Sequence, residues 1–476
     1  MKYIVSIDGG SQSTKTEIFD VFGKSVCRAS VSLPKPLEPE VGVSEYPDDC
    51  LWQTLIESCA KMMRDFPGRK EDLIGVGVCS IRFCRVMMRK DFSLAHPVLN
   101  WMDARVSKPY VDNIPGVEYI SSANGYITAR ITGERKDTAA NYQGMWPIDS
   151  NTWQWSEDDE SFERTGMPRE KLMALVMPGD VIGFVTKQAS QALHLPQGLP
   201  VVATANDKAV EALGCGVLSH KQLLVSLGTY ICSMTCGKDN NISPNHFWVN
   251  FASIPCRYLY EAHGIRRGMW LVSWFSELME NEKPVDASKQ LETMEEYLCS
   301  LAEKIPPGSE GLMVVPQWLA QTDSLYQRGV MIGFDARHGK GHIFRAILEA
   351  IAVTTYNNST HMLNELESEQ KEIIVSGGGS NSDLFMQIFA DVFGIPSVRC
   401  ECNGAVSLGA AICAAVATGQ YCDYETACAN MVRIEKRFIP DQNAHQVYMN
   451  MNEVYKGITR HTDVVLKEAY ARGITT

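Results

Sequence analysis

The sequence feature that most constrains the fold is a short strand-turn-strand pattern that occurs once in each half of the chain. The chain opens MKYIVSIDGGSQSTK, where an apolar run ends at Asp8 and is followed by glycines and hydroxyl-bearing residues. A second apolar run, 223–227, ends in a small-residue turn at 228–229. Alternating apolar residues follow each turn, at 16–21 and 231–235, as is typical of a hairpin. So short a match can arise by chance alone. The match nevertheless favours two related α/β domains that face each other, each with a phosphate-binding turn.

Strand and helix patterns alternate along the rest of the chain, which predicts an α/β architecture. We place the domain boundary at the polar break Leu218-Ser219-His220-Lys221, so the predicted domains are 1–218 and 219–476. The tail from 443 is predicted to be helical and to pack on the second domain, with a homodimer contact as an open alternative. The predicted strands are 73–79, 199–204 and 372–376, and the predicted helices are 51–64, 207–214, 343–364, 383–393 and 407–418.

Composition excludes several classes of protein. The net charge of -12 argues against a nucleic-acid-binding protein or a binder of anionic membranes. No apolar stretch is long enough to span a bilayer, and we expect no signal peptide. Fifteen cysteines without framework spacing predict buried thiols in a reducing compartment, the cytoplasm. His338 and His342 are four apart, but the glycines between them disfavour a helical metal pair.

The opening turn is not a Walker loop, because Thr14 rather than a glycine precedes Lys15. Its two glycines instead allow backbone amides to approach a phosphate. Asp8 would face the same space, where a carboxylate beside phosphates holds Mg²⁺ directly or through water. An ordinary hairpin turn with a solvated aspartate explains this stretch equally well. The hydroxyl groups expected near the phosphate belong to Ser11, Ser13 and Thr14.

A second candidate is Asp207, in the stretch VVATANDKAVEALGCG. A predicted strand ends at Thr204, and Asp207 follows where the chain turns into a helix rich in small residues. Such surroundings would seat the carboxylate in a cleft, where it can take a proton from a hydroxyl group. From spacing alone, an aspartate that merely caps the helix is the favoured alternative.

A glycine-rich turn, Gly377-Gly378-Gly379, follows the predicted strand 372–376. With the polar residues Ser380 and Asn381 before the next helix, it offers a surface on which a nucleotide can lie. The dinucleotide-binding fingerprint is absent, because no further glycine follows at the required spacing. This turn alone is weak evidence.

The last candidate is the motif Trp-Met-Asp-Ala-Arg at 101–105. Trp101, Asp103 and Arg105 are two residues apart and would share one face of an extended segment. An aromatic plane beside a carboxylate and a guanidinium suits a polyhydroxylated ligand. A surface strand with a salt bridge explains the motif on its own.

Together and in this order, the four pieces resemble the FGGY carbohydrate kinases of the actin/Hsp70/sugar-kinase superfamily. The resemblance implies two ribonuclease-H-like (actin-like ATPase) domains with a ligand cleft between them. It also implies phosphorylation of a small ketose or polyol with ATP and Mg²⁺. The residues that carry it are Asp8, Gly10, Ser13 and Lys15; 101–105; Gly125 to Asp137; Asp207 with Ala209 and Gly214; Gly228-Thr229; Gly264 to Gly268; Gly377 to Ser380; and Leu408 to Ala411.

The resemblance also implies the role of each candidate residue. Asp207 would be the general base for in-line transfer, and Asp8 would hold the metal. The nucleotide would contact Gly10, Ser11, Gln12, Ser13, Thr14, Lys15, Gly228, Thr229, Gly377, Gly378, Gly379, Ser380 and Asn381. The sugar or polyol would contact Arg82, Phe83, Trp101, Asp103, Arg105, Asp207 and Lys208.

Three departures from the family pattern leave the sugar unnamed. The first turn reads Ser11-Gln12 where two threonines are usual. The segment 79–83 reads Cys-Ser-Ile-Arg-Phe, unlike the Gly-Gln-Met-His-Gly of xylulokinase-like members or the Asn-Gln-Arg-Glu of glycerol kinases. Lys208 follows the base, and a cation there would lower the pKa of Asp207 and hydrogen-bond an extra substrate oxygen.

Two alternatives stand beside the kinase. One is a catalytically silent, nucleotide-driven binding or regulatory protein like the actin and Hsp70 relatives. The other is a sugar-sensing regulator, which would need a basic helix-turn-helix, and there is no room for one before Lys2. Asp207 together with the motif at 101–105 favours the kinase.

Overall fold

Two large β-sheets, one in each half of the chain, form the framework of the protein. The computed structural model describes residues 1–240, 243–280, 293–320, 324–402 and 404–474. Within these ranges the first sheet has six strands and the second has seven, with helices along both halves. The predicted α/β class is confirmed.

The strands are β1 (Tyr3–Gly9), β2 (Ser13–Asp20), β3 (Ser25–Ser32), β4 (Glu45–Tyr46), β5 (Leu73–Ser80), β6 (Val86–Met88), β7 (Val98–Leu99), β8 (Tyr119–Ser121), β9 (Lys136–Thr138), β10 (Ile148–Asp149), β11 (Gln154–Trp155), β12 (Ala174–Val176), β13 (Val181–Phe184), β14 (Pro200–Asn206), β15 (Leu223–Leu227), β16 (Ile231–Gly237), β17 (Phe247–Phe251), β18 (Tyr258–Ala262), β19 (Met313–Val315), β20 (Val330–Ile332), β21 (Ile373–Ser376), β22 (Ser397–Cys400) and β23 (Ile434–Phe438). The α-helices are α1 (Cys50–Asp65), α2 (Ala123–Thr132), α3 (Asp159–Thr165), α4 (Lys187–Leu193), α5 (Asp207–Gly214), α6 (Gly268–Leu278), α7 (Met294–Ala302), α8 (Lys340–Glu365), α9 (Asp383–Phe393), α10 (Ala405–Ala417), α11 (Tyr424–Met431) and α12 (Gln442–Ala471).

The two sheets have the same strand order. The first runs β3-β2-β1-β5-β14-β13, and the second runs β18-β16-β15-β21-β22-β23 with β17 added beyond β18. In each sheet, three antiparallel strands are followed by two strands parallel to the first and by a last antiparallel strand. The internal repeat predicted from the two turns is therefore present in the topology, and the two-domain, actin-like fold is confirmed.

The division of the chain at 218 and 219 stays a prediction. Among the described strands, β1 to β14 precede this point and β15 to β23 follow it. Helix α10 of the second half, however, packs against β1, β5 and α5 of the first half. The two halves thus share a contact that the sequence did not indicate.

Glycines allow α5 and α10 to touch backbone to backbone. A Cβ atom added at Gly214 would lie 1.8 Å from the carbonyl oxygen of Ala405, and one added at Gly409 would lie 2.0 Å from that of Val210. Any side chain at either position would therefore force the helices apart. This contact fixes α5, with Asp207 at its N-terminus, against the second half of the chain.

The predicted helices all occur. Those predicted at 207–214 and 383–393 have these bounds in the structure, as α5 and α9. The predicted tail helix is α12, and Tyr448 from it donates to Glu349 of α8 at 2.9 Å. The tail therefore packs on the second half as expected, while residues 475–476 lie outside the described ranges.

Candidate active site

A cavity of about 540 Å³ is lined by residues from both halves of the chain. The first turn contributes Asp8 and Lys15, and the glycine-rich turn contributes Gly377 and Gly378. Glu211, which lies one helical turn after Asp207, also lines this cavity. Pieces that are hundreds of residues apart in sequence thus meet around one space, as the phosphate-binding interpretation requires.

Asp8 is buried where β1 ends. Its carboxylate lies 3.6 Å from the ammonium group of Lys15, and the Cys79 thiol is its other close neighbour at 3.9 Å. Burial raises the pKa of Asp8 to about 6, although Lys15 opposes the rise; Asp207 and Glu211 add to it through charge repulsion. The charges of Asp207 and Glu211 therefore act on Asp8, and of these two carboxylates Glu211 lines the same cavity.

The first turn is closed by its own backbone, since the Gly10 amide donates to the carbonyl of Ser13 at 3.1 Å. The hydroxyl of Thr14 does not face this turn. It lies 2.7 Å from the hydroxyl of Thr54 on α1 and is buried. Successive side chains of β2 point to opposite sides, so a side-chain contact from Thr14 to a phosphate is incompatible with the structure. Ser11, Gln12 and Ser13 remain at the tip of the turn.

The second turn, Gly228-Thr229, is held against the start of α6. The amide of Gly268 donates to the carbonyl of Thr229 at 2.8 Å, and that of Met269 donates to Gly228 at 3.4 Å. Arg267, just before this helix, has its guanidinium 5.2 Å from the ring of Trp270. An exposed cation therefore adjoins the second turn, which the sequence analysis did not identify.

The glycine-rich turn is fitted closely to the end of β15. Gly377 has φ +91°, and a Cβ atom there would lie 2.4 Å from the carbonyl oxygen of Leu227, so no other residue fits. The hydroxyl of Ser380 donates back to Gly377 at 2.8 Å. Gly379 is buried, whereas Gly378 and Asn381 are exposed. Of this turn, these two exposed residues are the ones most accessible to a nucleotide.

Asp207 is the first residue of α5 and is not its cap. The N-cap is Asn206, whose side chain accepts from the amides of Lys208 and Ala209, so the favoured alternative from spacing alone is wrong. Burial raises the pKa of Asp207, and this effect outweighs the opposing charges of Arg82 and Lys208. Lys208 does lower the pKa of Asp207, as expected, but burial has the larger effect and the net pKa is raised.

The ammonium group of Lys208 turns towards its own helix and the second half of the chain. It lies 3.2 Å from Glu211 Oε2 and 2.6 Å from the hydroxyl of Ser226 on β15. Ser226 also donates to both carboxylate oxygens of Glu211, at 2.8 and 3.0 Å. Lys208 is thus part of a buried network that joins α5 to β15.

Arg82, which follows β5, pairs across the two halves with Glu261 of β18. Both guanidinium-to-carboxylate contacts are 2.8 Å, and the two side chains are only 13% and 7% exposed. The guanidinium also lies 5.4 Å from the ring of Phe83. The positive charge of Arg82 is the strongest one opposing the raised pKa of Asp207, so this ion pair lies beside the candidate base.

The motif at 101–105 is not an extended strand. Asp103 caps a short 3₁₀-helix, Ala104–Ser107, and accepts from the Ser44 amide at 2.8 Å and from Arg105. The prediction of one shared face fails because the carboxylate is buried in the turn that it holds. Trp101 is 41% exposed and the Arg105 side chain 39%, so both are open to a ligand, whereas Asp103 is not.

Sequence reasoning missed two carboxylates of this region. Glu211 lies four residues after Asp207, so helical spacing would have placed both on one face of α5. Glu261 is a charged residue within the otherwise apolar and aromatic run Tyr258–Ala262, all of it buried. A charge in a buried strand needs a partner, and that signal was present in the sequence.

Among the described residues, no three histidine, cysteine, aspartate or glutamate side chains are arranged to hold a metal ion. All fifteen cysteines carry free thiols. No helix within the described ranges has both the length and the apolar character that crossing a membrane would require.

Comparison with known proteins gives a consistent result. The model of the C-terminal domain of the FGGY family of carbohydrate kinases matches residues 223–418. The uncharacterized sugar kinase YgcE of Escherichia coli (strain K12) is 47% identical over 470 residues, covering 98% of this chain and 96% of that protein. Two solved structures share the fold. The ligand-bound xylulose kinase from Lactobacillus acidophilus has a TM-score of 0.82 at 18% identity, with 97% and 98% of the two chains covered. The Plasmodium falciparum glycerol kinase with ADP has a TM-score of 0.79 at 17% identity, also covering 97% and 98%.

Proposed function

We propose that this chain, which belongs to the FGGY family of carbohydrate kinases, transfers the γ-phosphoryl group of ATP directly to a hydroxyl group of a small ketose or polyol. Phosphoryl transfer depends mainly on positioning and on stabilising charge, so the site needs phosphate-binding turns and a base at the acceptor. The observation that carries the proposal is the cavity lined by Asp8 and Lys15 of the first hairpin, by Glu211 of α5 and by the glycine-rich turn.

Asp207 is the proposed general base. It would accept the proton of the acceptor hydroxyl while the oxygen attacks the γ-phosphorus. Its raised pKa supports this role, because a base is most effective when its pKa approaches the working pH. Asn206 is the cap of the helix, while Asp207 Oδ1 also accepts from the Lys208 amide at 3.0 Å.

The nucleotide would lie between the two turns. The phosphates would meet the first turn at 10–13 and Lys15, together with Gly228 and Thr229, while the adenosine would lie against the glycine-rich turn at 377–381. The glycerol kinase that shares this fold was solved with ADP, which supports an adenine nucleotide as the donor.

The residues at the end of β1 fit a magnesium ion. Mg²⁺ in nucleotide sites keeps several waters and takes one or two carboxylates besides the phosphates. Asp8 offers one buried carboxylate on the wall of the cavity, so it would hold the ion directly or through water. The ion would supply neutralisation of the phosphate charge.

The acceptor would lie on the side of Asp207 that faces Arg82. Phe83 and Trp101 offer rings against which a carbon chain can pack, and Lys208 would help to place the base. Asp103 and Arg105 would act by holding the turn that presents Trp101, since their charged groups bind each other.

We further propose that the chain divides into the domains 1–218 and 219–476. We also propose a cytoplasmic location, which the fifteen free thiols support. The proposed partners are a small sugar or polyol and ATP, with no nucleic acid or membrane. A homodimer through α12 stays a prediction.

The test is ADP release from MgATP with a panel of three- to seven-carbon ketoses and the matching polyols, against a control without acceptor. We expect one acceptor to raise the rate far above the water background. ATP binding at micromolar affinity without stimulation by any acceptor would instead favour the catalytically silent, nucleotide-driven binding protein.

A further inference from the structure

Both terminal nitrogens of the Arg82 guanidinium already bind a carboxylate of this chain. Each lies 2.8 Å from a carboxylate oxygen of Glu261. Asn250, on the neighbouring strand β17, approaches the same carboxylate at 3.5 Å. A parallel two-bond pair of this kind is also the geometry by which arginine recognises a ligand carboxylate. Glu261 therefore fills the position that an acidic ligand would take on Arg82.

The other charges near Asp207 leave no surplus of positive charge. Arg82 and Lys208 supply two positive charges, against three negative charges on Asp207, Glu211 and Glu261. Burial opposes ionisation of Glu261, but Arg82 outweighs it and holds the pKa of this carboxyl below its usual range. With these five groups in their ionised forms, the acceptor side of the cleft thus has one negative charge in excess.

The two arginines that follow β18 in the chain, Arg266 and Arg267, do not change this balance of charge. Arg266 donates to the carbonyl of Ala320 at 2.6 Å. Arg267 lies over Trp270, next to the helix start that holds the second phosphate turn. The described contacts of both arginines are thus with groups other than Arg82 and Glu261.

We propose that Glu261 determines the acceptor class: by occupying Arg82 it restricts the site to uncharged sugars and polyols and excludes sugar acids. The inference rests on the proposed function, because it concerns the acceptor of that same site. An aldonate whose carboxylate approached Arg82 would meet Glu261 and Asp207, and like charges set against each other reject a wrong ligand. A neutral polyol would meet no such repulsion and would use the same groups as hydrogen-bond partners.

The experiment compares the full-length wild type with E261Q and with the double variant R82Q/E261Q. Glutamine keeps the size of the side chain and removes its charge, so it leaves Arg82 able to bind a carboxylate. Calorimetric titration measures the binding of D-xylonate and D-gluconate against xylitol, D-glucitol and the corresponding ketoses. ADP release with MgATP is measured on the same panel, and thermal melting checks that each variant is folded.

We expect the wild type to prefer the neutral ligands and E261Q to reduce this preference by on the order of 10²-fold, through tighter binding of the aldonates. The double variant should lose that gain, because the gain requires Arg82. A preference for aldonates in the wild type would overturn the proposal, whatever the stability of the variants. It would also be overturned if E261Q kept the wild-type ratio, or if the double variant kept the gain.

Failure of this inference can be told from failure of the proposed function. If the wild type phosphorylates a neutral acceptor but E261Q keeps the same ratio, the kinase stands and the role of Glu261 falls. If no acceptor raises ADP release, the proposed function falls, while the titration still reports the ratio of aldonate to polyol binding.

Discussion

Lys208 and Glu211 lie one helical turn apart on α5, with 3.2 Å between Lys208 Nζ and Glu211 Oε2, and both bond to Ser226 of the other half. Because only 15% and 8% of these side chains are exposed, the two charges depend on each other. The pair lies next to the proposed base and joins α5 to β15 of the second sheet.

Lys208→Met should therefore destabilise the protein by about 3 kcal/mol, because it leaves Glu211 as an unpaired buried charge close to Asp207. Chemical denaturation measures this change. The double variant Lys208→Met with Glu211→Met should recover most of the loss, since an apolar pair replaces the ion pair. Lys61→Met is the control: its partner Glu57 is an exposed neighbour at 2.7 Å, and its effect should stay within about 0.5 kcal/mol. Equal losses for Lys208→Met and Lys61→Met would contradict the account.

Asp8→Asn should make the metal-free protein more stable at pH 8 while removing its activity. Burial raises the folded-state pKa of Asp8 to about 6, above the ~3.9 of an aspartate in an unfolded chain, so the wild type is destabilised as the pH rises through this interval and the carboxylate ionises. The shift corresponds to on the order of 3 kcal/mol. Melting curves in EDTA from pH 4 to 8 measure it. The gain should be largest at pH 8 and should disappear towards pH 4; a gain independent of pH would point to a different cause.

The acceptor kcat/KM should fall as the pH drops below about 6. Asp8 and Asp207 are needed in their ionised forms, and burial raises the pKa of both, so protonation removes activity at a higher pH than ordinary aspartates would allow. Arg82→Gln should move this acid limb to higher pH, because the positive charge that favours ionised Asp207 is lost. A rate profile from pH 4.5 to 8.5 that stays flat down to pH 5 would be incompatible with these roles.

Gly409→Ala should lower the melting temperature by several degrees. Its Cβ atom would lie 2.0 Å from the carbonyl oxygen of Val210, so α10 would have to move away from α5 and the base. Gly457→Ala is the matched control, because this glycine of α12 has no neighbouring atom within 4 Å of an added Cβ. That substitution should stabilise the protein by about 0.5–1 kcal/mol through helix propensity. If both variants had the same melting temperature, the close contact between α10 and α5 would not be needed for stability, contrary to this prediction.

Sequence periodicity and turn residues predicted the helices and strands whose formation depends mainly on neighbouring residues. The helix at 383–393 and the paired hairpins follow from periodicity and turn chemistry, and the repeated strand order agrees with them. The side of β2 on which Thr14 lies was also predictable. Side chains alternate along a strand, so Thr14 and Thr16 both point towards α1 while Lys15 points to the opposite side. The pair of Arg82 with Glu261 was not, since these residues are 179 positions apart and only the folded chain brings them together.

The role of Asp103 shows a second limit. Its spacing from Trp101 and Arg105 suits an extended segment, but capping of a short 3₁₀-helix gave the carboxylate a closer set of donors. Aspartate competes for nearby backbone amides in this way wherever a turn permits it. Spacing alone does not distinguish a ligand-binding aspartate from one that holds its own loop.

The most direct test of the central claim is the kcat of Asp207→Asn with MgATP and the best acceptor, measured together with the affinity for ATP. Asparagine keeps the shape of the side chain and cannot accept the proton. The account predicts a kcat lower by ~10²–10⁴-fold with unchanged ATP affinity. The melting temperature should be no lower than that of the wild type, because burial disfavours the ionised carboxylate that the substitution removes. A variant that folds, binds ATP and keeps more than about a tenth of the wild-type kcat would contradict Asp207 as the base, since losing a general base costs at least ~10²-fold.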